Sequence, residues 1–120
     1  MTSSPVIPVI IINDPGHAIP LATALYQGGL HVLEITLRTP HGLGAIKTIS
    51  EQIPDAIVGA GTVTTAEHIS AVLEVGGQFM VSPGITDTLI EAAMRQEVIL
   101  LPGIATPSEA MKLIDYGIHH

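Results

Sequence analysis

Five short apolar runs recur along the chain, and they constrain its fold more than any other feature. They read PVIPVIII (Pro5 to Ile12), HVLEITL (His31 to Leu37), AIVGAG (Ala56 to Gly61), FMVSPG (Phe79 to Gly84) and VILLPGI (Val98 to Ile104). Their starts fall 26, 25, 23 and 19 residues apart. Runs this short, continuous and rich in Val, Ile and Leu suit strands buried on both faces, the usual state of parallel sheets. The intervals between them are long enough for one helix and two loops, which is the length a parallel crossover needs.

The intervals carry helix start and stop signals. Asp14 before Pro15, and Thr39 before Pro40, read as N-caps followed by proline at the first helical position. Thr64 with Glu67, and Thr106 with Glu109, have capping-box spacing, and Thr86 is placed to cap a fourth helix. Gly28-Gly29, Gly76-Gly77 and Gly117 read as stops. The chain is therefore five strand-then-helix units in one domain, residues 1–120. Right-handed crossovers make the sheet parallel. Two architectures fit: a doubly wound open sheet, or the first five units of a (β/α)₈ barrel.

Composition narrows the function classes. With 47% hydrophobic and 12% charged residues, disorder is excluded. The longest apolar run, Pro5 to Ile12, falls far short of the roughly 20 residues a membrane-spanning helix needs. Met1 to Ser4 carry no basic segment leading into an apolar core, so no signal peptide is expected and the cytoplasm is the expected compartment. The absence of cysteine removes disulfides, zinc thiolates and thiol nucleophiles. A net charge of −7 with three aromatics (Tyr26, Phe79, Tyr116) argues against a nucleic-acid partner. It does not forbid an anionic small molecule, because one Arg in a dry pocket can hold a phosphate or carboxylate.

In either architecture chemistry gathers at the carboxyl ends of the strands. On a strand running from Leu33 to Thr39, alternation puts Glu34, Thr36 and Arg38 on one face and Leu33, Ile35 and Leu37 on the other. The polar face must point into a barrel or cleft, since a Glu in an apolar strand is costly unless it is paired or used. Four extended residues separate Glu34 and Arg38 by roughly 13 Å, so each is expected to need another partner or a ligand. The remaining strand ends, GAGT (Gly59 to Thr62), SPG (Ser82 to Gly84) and PGI (Pro102 to Ile104), supply glycines that admit a close ligand. Gly59 and Gly61 do not complete a dinucleotide fingerprint, because position 64 is Thr64. His17, His31, His41 and His68 lack metal-ligand spacing, and Met80, Met94 and Met111 read as core filler.

LEITLRT, IVGAGTV (Ile57 to Val63), VSPG (Val81 to Gly84) and LLPGIATPSEAM (Leu100 to Met111), taken in order, resemble the 2-keto-3-deoxy-6-phosphogluconate (KDPG) aldolase family. The opening PVIPVIII and the closing IDYGI also fit, so the resemblance covers nearly the whole chain. It implies a (β/α)₈-barrel class I aldolase of which this chain covers about five βα units. Such an enzyme cleaves KDPG to pyruvate and glyceraldehyde 3-phosphate, and many members also act on 4-hydroxy-2-oxoglutarate. It implies a trimer in Entner–Doudoroff sugar-acid metabolism with no metal or organic cofactor. By resemblance Glu34 is the proton-transfer residue, Arg38 binds the anionic substrate, and Thr62 and Pro83 line the pyruvate site. The family's Schiff-base lysine lies on a sixth strand, whereas the lysines here, Lys47 and Lys112, fall in helical segments. The chain is accordingly expected to be the N-terminal part of an enzyme of roughly 200 residues, and to be inactive alone. Two alternatives stand beside this: a noncatalytic partial-barrel assembly or ligand-binding module, and a sibling aldolase for the galactonate-derived substrate.

Overall fold

A computed structural model describes residues 5–120. The elements alternate throughout: β1 (Val9–Ile10), a 3-10 turn (Pro15–His17) running into α1 (Ala18–Gln27), β2 (Val32–Thr36), α2 (Gly42–Gln52), β3 (Ile57–Gly61), α3 (Ala66–Glu74), β4 (Phe79–Ser82), α4 (Asp87–Arg95), β5 (Ile99–Pro102) and α5 (Pro107–Asp115). The residues weighed for a signal peptide, Met1 to Ser4, lie outside the described ones. No described helix is long and apolar enough to cross a membrane.

All strand pairs are parallel, and the strand order is β1-β2-β3-β4-β5. This order decides between the two architectures. Crossovers of one hand that always step to the next strand in the same direction leave every helix on one face of the sheet. A doubly wound sheet reverses direction and places helices on both. The order here never reverses, so the units are those of the barrel class.

Register then sorts the side chains. Ile10, Leu33, Ile35, Val58, Ala60, Met80 and Leu100 pack against the helices, meeting Ala22, Ala45, Ile46, Ile49, Ile69, Val72 and Leu89 in one core. Each fully buried Val, Leu, Ile or Met side chain there stabilises by about 1.5–3 kcal/mol. The opposite, concave face carries Val32, Glu34 and Thr36 of β2, in register with Ile57, Gly59 and Gly61 of β3. Phe79 and Val81 of β4 continue it, in register with Ile99 and Leu101 of β5.

The caps are mostly as the sequence signals. Asp14 accepts from Gly16 N–H at the 3-10 turn, Thr86 caps α4, and Thr106 with Glu109 forms a full capping box on α5. Four helices end in the same motif. The second residue beyond each of α1, α3, α4 and α5 has positive φ, and the residue after it bonds back to the last helical turn. Gly29, Gly76 and Gly117 take this position in three of them, and Glu97 in α4 (φ 54°).

Several expectations are corrected. The first run yields only a two-residue strand, because Pro5 and Pro8 have no N–H to give a ladder. Thr39 does not cap α2: its hydroxyl donates to the Ile12 carbonyl (2.6 Å), and the helix begins at Gly42. The cap of α3 is Thr65 rather than Thr64, whose N–H donates instead to His68 Nδ1 (3.1 Å). Met80 is in the core, but Met94 and Met111 are 47% and 66% exposed, on outward faces of α4 and α5.

Candidate functional site

The parallel order brings the carboxyl ends of β2, β3, β4 and β5 to one rim. Glu34 sits on the concave face of β2, opposite Gly59 in the register and beside Val9 of β1. It is 8% exposed. Its carboxyl makes no hydrogen bond or ion pair among the described residues. Burial pushes its pKa above the ordinary carboxylate value, and the positive charge of Arg38 opposes that rise without cancelling it. A carboxyl held in this way exchanges a proton closer to neutral pH than a solvated one does.

Arg38 does not continue the strand. β2 ends at Thr36, and Arg38 lies exposed in the turn that follows, so strand alternation does not place it. A side-chain bond does: Arg38 Nε donates to Thr62 Oγ1 at 3.3 Å. Thr62 has φ +60°, a left-handed conformation that a β-branched residue rarely adopts. Such strain at a strand end is typical of residues held for a purpose other than stability. Glu34, Arg38 and Thr62 are thus brought together. Pro83 is set apart, one strand further along. It lines a cavity of about 200 Å³ with Thr64, Gly84, Ile85, Thr86 and Leu89, and none of the other three residues reaches that cavity.

Three neighbours complete the surroundings of Glu34: Thr36 and Gly61, which the sequence places on the polar face and at a strand end without a site role, and Phe79, which it does not connect to the site. The Phe79 ring, 1% exposed, lies against Gly59, the residue opposite Glu34 in the register. Gly61 lies directly under the Glu34 carboxyl. Thr36 Oγ1, on the same face, is buried with no hydrogen-bond partner. The glycine pattern of GAGT was visible, but its partner across the sheet was not. Of the histidines, His17 lies 3.6 Å from Asp14, His31 packs on Tyr26, and His68 closes its own helix start.

Neither lysine joins the site. Lys47 Nζ pairs with Glu51 at 3.0 Å along α2. Lys112 Nζ pairs with Asp87 at 2.7 Å between α5 and α4, and this partner holds the ammonium charged to higher pH.

Comparison with known proteins agrees with this geometry. The family model for KDPG and KHG aldolase matches residues 1–120. A 2-dehydro-3-deoxy-phosphogluconate aldolase of Dickeya dadantii is 50% identical over 98% of this chain, and a KHG/KDPG aldolase of Escherichia coli K12 is 48% identical. The chain spans about half the length of the curated relatives it matches, 55% in both cases. Among solved structures, KDPG aldolase of Legionella pneumophila, with pyruvate captured as a covalent carbinolamine intermediate, superposes with a TM-score of 0.93 at 45% identity, covering 96% of this chain and 56% of that one. The Zymomonas mobilis enzyme with 3-phosphoglycerate gives 0.92 at 47%, covering 97% and 55%. Built on consecutive βα units of their barrel, this chain belongs to the KDPG and KHG aldolase family.

Proposed function

We propose that these residues form the proton-transfer side of a class I aldolase that cleaves KDPG to pyruvate and glyceraldehyde 3-phosphate, with 4-hydroxy-2-oxoglutarate as a second substrate. One observation carries the reading: a buried carboxyl with a raised pKa, Glu34, stands on the concave face near an exposed guanidinium at the carboxyl ends of parallel strands. In the reaction a neutral lysine amine adds to the keto carbon, and water leaves to give a protonated imine. Glu34 carries the protons of these steps. It then takes the proton of the C4 hydroxyl as the C3–C4 bond breaks, and the imine accepts the electron pair. The aldehyde departs, Glu34 returns a proton to C3 of the enamine, and water releases pyruvate and the amine. Arg38, steadied by Thr62, holds the substrate's anionic end, where a planar donor suits a carboxylate. Thr62 bounds the pyruvate site beside Glu34, and Pro83, at the end of the next strand, is its proposed far wall although its own cavity is lined by other residues.

The amine lies outside these 120 residues. Lys47 and Lys112 are engaged on the helical layer, and a paired ammonium is a poor nucleophile. The barrel is one domain in this reading, and it assembles as a trimer in the cytoplasm. Higher identity to KDPG aldolases than to the KDPGal structure (30%) favours the gluconate-derived substrate over its galactonate sibling.

The test is borohydride reduction in the presence of pyruvate, followed by mass spectrometry. The full-length protein is expected to gain a pyruvyl adduct, and the isolated 120-residue chain none. An adduct on Lys47 or Lys112, or full-length protein that neither traps pyruvate nor cleaves KDPG, would refute the proposal.

A further inference from the structure

We infer that Gly61 is a positioning residue, whose missing side chain is the seat on which the Glu34 carboxyl rests. The inference builds on the proton-transfer role proposed for Glu34. A Cβ placed on Gly61 would meet the Glu34 side chain alone among its nearest neighbours: 2.9 Å from Cδ, 3.1 Å from Cγ and closer still to Oε1. The carboxyl occupies the volume that any other residue at position 61 would fill.

Gly59, two residues earlier on the same face, has a different neighbour. A Cβ there would lie 2.5 Å from Cγ and Cδ1 of the Phe79 ring and equally close to the Phe79 carbonyl oxygen. A main-chain oxygen in a paired strand cannot move aside, so Gly59 is a requirement of packing. At Gly61 the obstacle is the far end of a flexible side chain. It can swing away, and the fold survives while the acid leaves its place. The two glycines of one motif therefore divide between folding and function.

The seat also explains how the acid is isolated. β1 and β3, the strands flanking Glu34, put Val9, Gly59 and Gly61 around it and no titratable group. Arg38 is the charged group that acts on it. Moving the carboxyl off Gly61 carries it from this lining toward the open concave side.

The experiment is Gly61→Ala in the full-length protein, beside Glu34→Gln, Glu34→Asp and the double variant Gly61→Ala with Glu34→Asp. Gly61→Ala is expected to fold, with kcat down about 10- to 100-fold and KM within about twofold, since misplacing a catalytic group by about 1 Å has that scale of effect. Its Glu34 carboxyl, followed by carbon-13 NMR, should titrate closer to a solvated glutamate. The double variant should recover part of the loss, because Asp withdraws the carboxyl by one methylene. Three outcomes overturn the seat: a folded Gly61→Ala with kcat and Glu34 titration unchanged, an unfolded Gly61→Ala, or a double variant with simply additive losses. If Glu34→Gln retains full turnover, the proton-transfer reading fails, and the carbon-13 titration still decides whether Gly61 seats the carboxyl.

Discussion

Replacing Glu34 with glutamine should make the protein more stable at neutral pH and inactive. The structure gives the reason for the first half. Glu34 is buried, its carboxyl has no hydrogen-bond partner among the described residues, and burial raises its pKa against the opposing pull of Arg38. Folding therefore favours the protonated acid. Below the unfolded pKa, near the ordinary value of 4.5, the group is neutral in both states and costs nothing as a charge. As pH rises through that value toward the folded one, the unfolded chain ionises more readily, and stability falls until the native group has ionised too. Leaving a buried polar group without a partner costs about 1–3 kcal/mol, and more when it is charged. Arg38 recovers part of this, so Glu34→Gln should gain about 1–2 kcal/mol at pH 8 and close to none at pH 4. For a protein of this size range that is roughly 2–8 °C in Tm at the higher pH. Thermal unfolding of the full-length pair, followed by circular dichroism across this range, measures it. A Tm difference that is constant with pH, or a glutamine variant less stable at pH 8, would refute the reasoning.

Other outcomes follow from the same geometry. Arg38→Ala should raise KM about 10- to 100-fold, and Arg38→Lys should restore only part of it, because an ammonium lacks the planar fork. Gly59→Ala, which collides with the Phe79 ring and carbonyl, should cost about 1–3 kcal/mol in denaturant unfolding. Glu97→Gly should add about 0.5–1 kcal/mol, since a left-handed residue with a Cβ costs about 1–2 kcal/mol and the extra freedom of glycine in the unfolded chain offsets part of the relief. Lys47→Ala and Lys112→Ala should leave turnover and pyruvate trapping unchanged. The Lys112–Asp87 pair, with the carboxyl pKa held below and the ammonium pKa above their usual values, should lose its contribution in acid, as Asp87 becomes protonated, in strong alkali, as Lys112 loses its proton, and in high salt.

Much of this was legible along the chain because it is local. Apolar runs announce buried strands, Thr106 and Glu109 sit one helical turn apart, and glycine marks the left-handed residue after a helix. The misreadings are also local, and each reflects a competition. Thr64 and Thr65 are both fit to cap, and a histidine four residues on takes the first one's N–H. Thr39 has a carbonyl of the β1–α1 loop within reach and turns to it. Glu97 stands where α1, α3 and α5 have glycine, so the stop of α4 was silent. The architecture itself needed strand order, which periodicity does not contain. The site was half legible: alternation put Glu34 inward, but Arg38 reaches its place through Thr62, 24 residues away. The contact between Gly61 and Glu34 likewise crosses two strands, and nothing in either segment announces it.

The central claim is that Glu34 moves protons at the reacting carbon while a distant amine holds the substrate. Exchange of pyruvate methyl protons for deuterium, measured by proton NMR against the amount of borohydride-trapped adduct, tests it most directly. In the Glu34→Gln full-length protein, adduct should still accumulate on long incubation, while exchange per adduct drops at least about 100-fold. Exchange per adduct equal to that of the parent would mean that another group carries the proton.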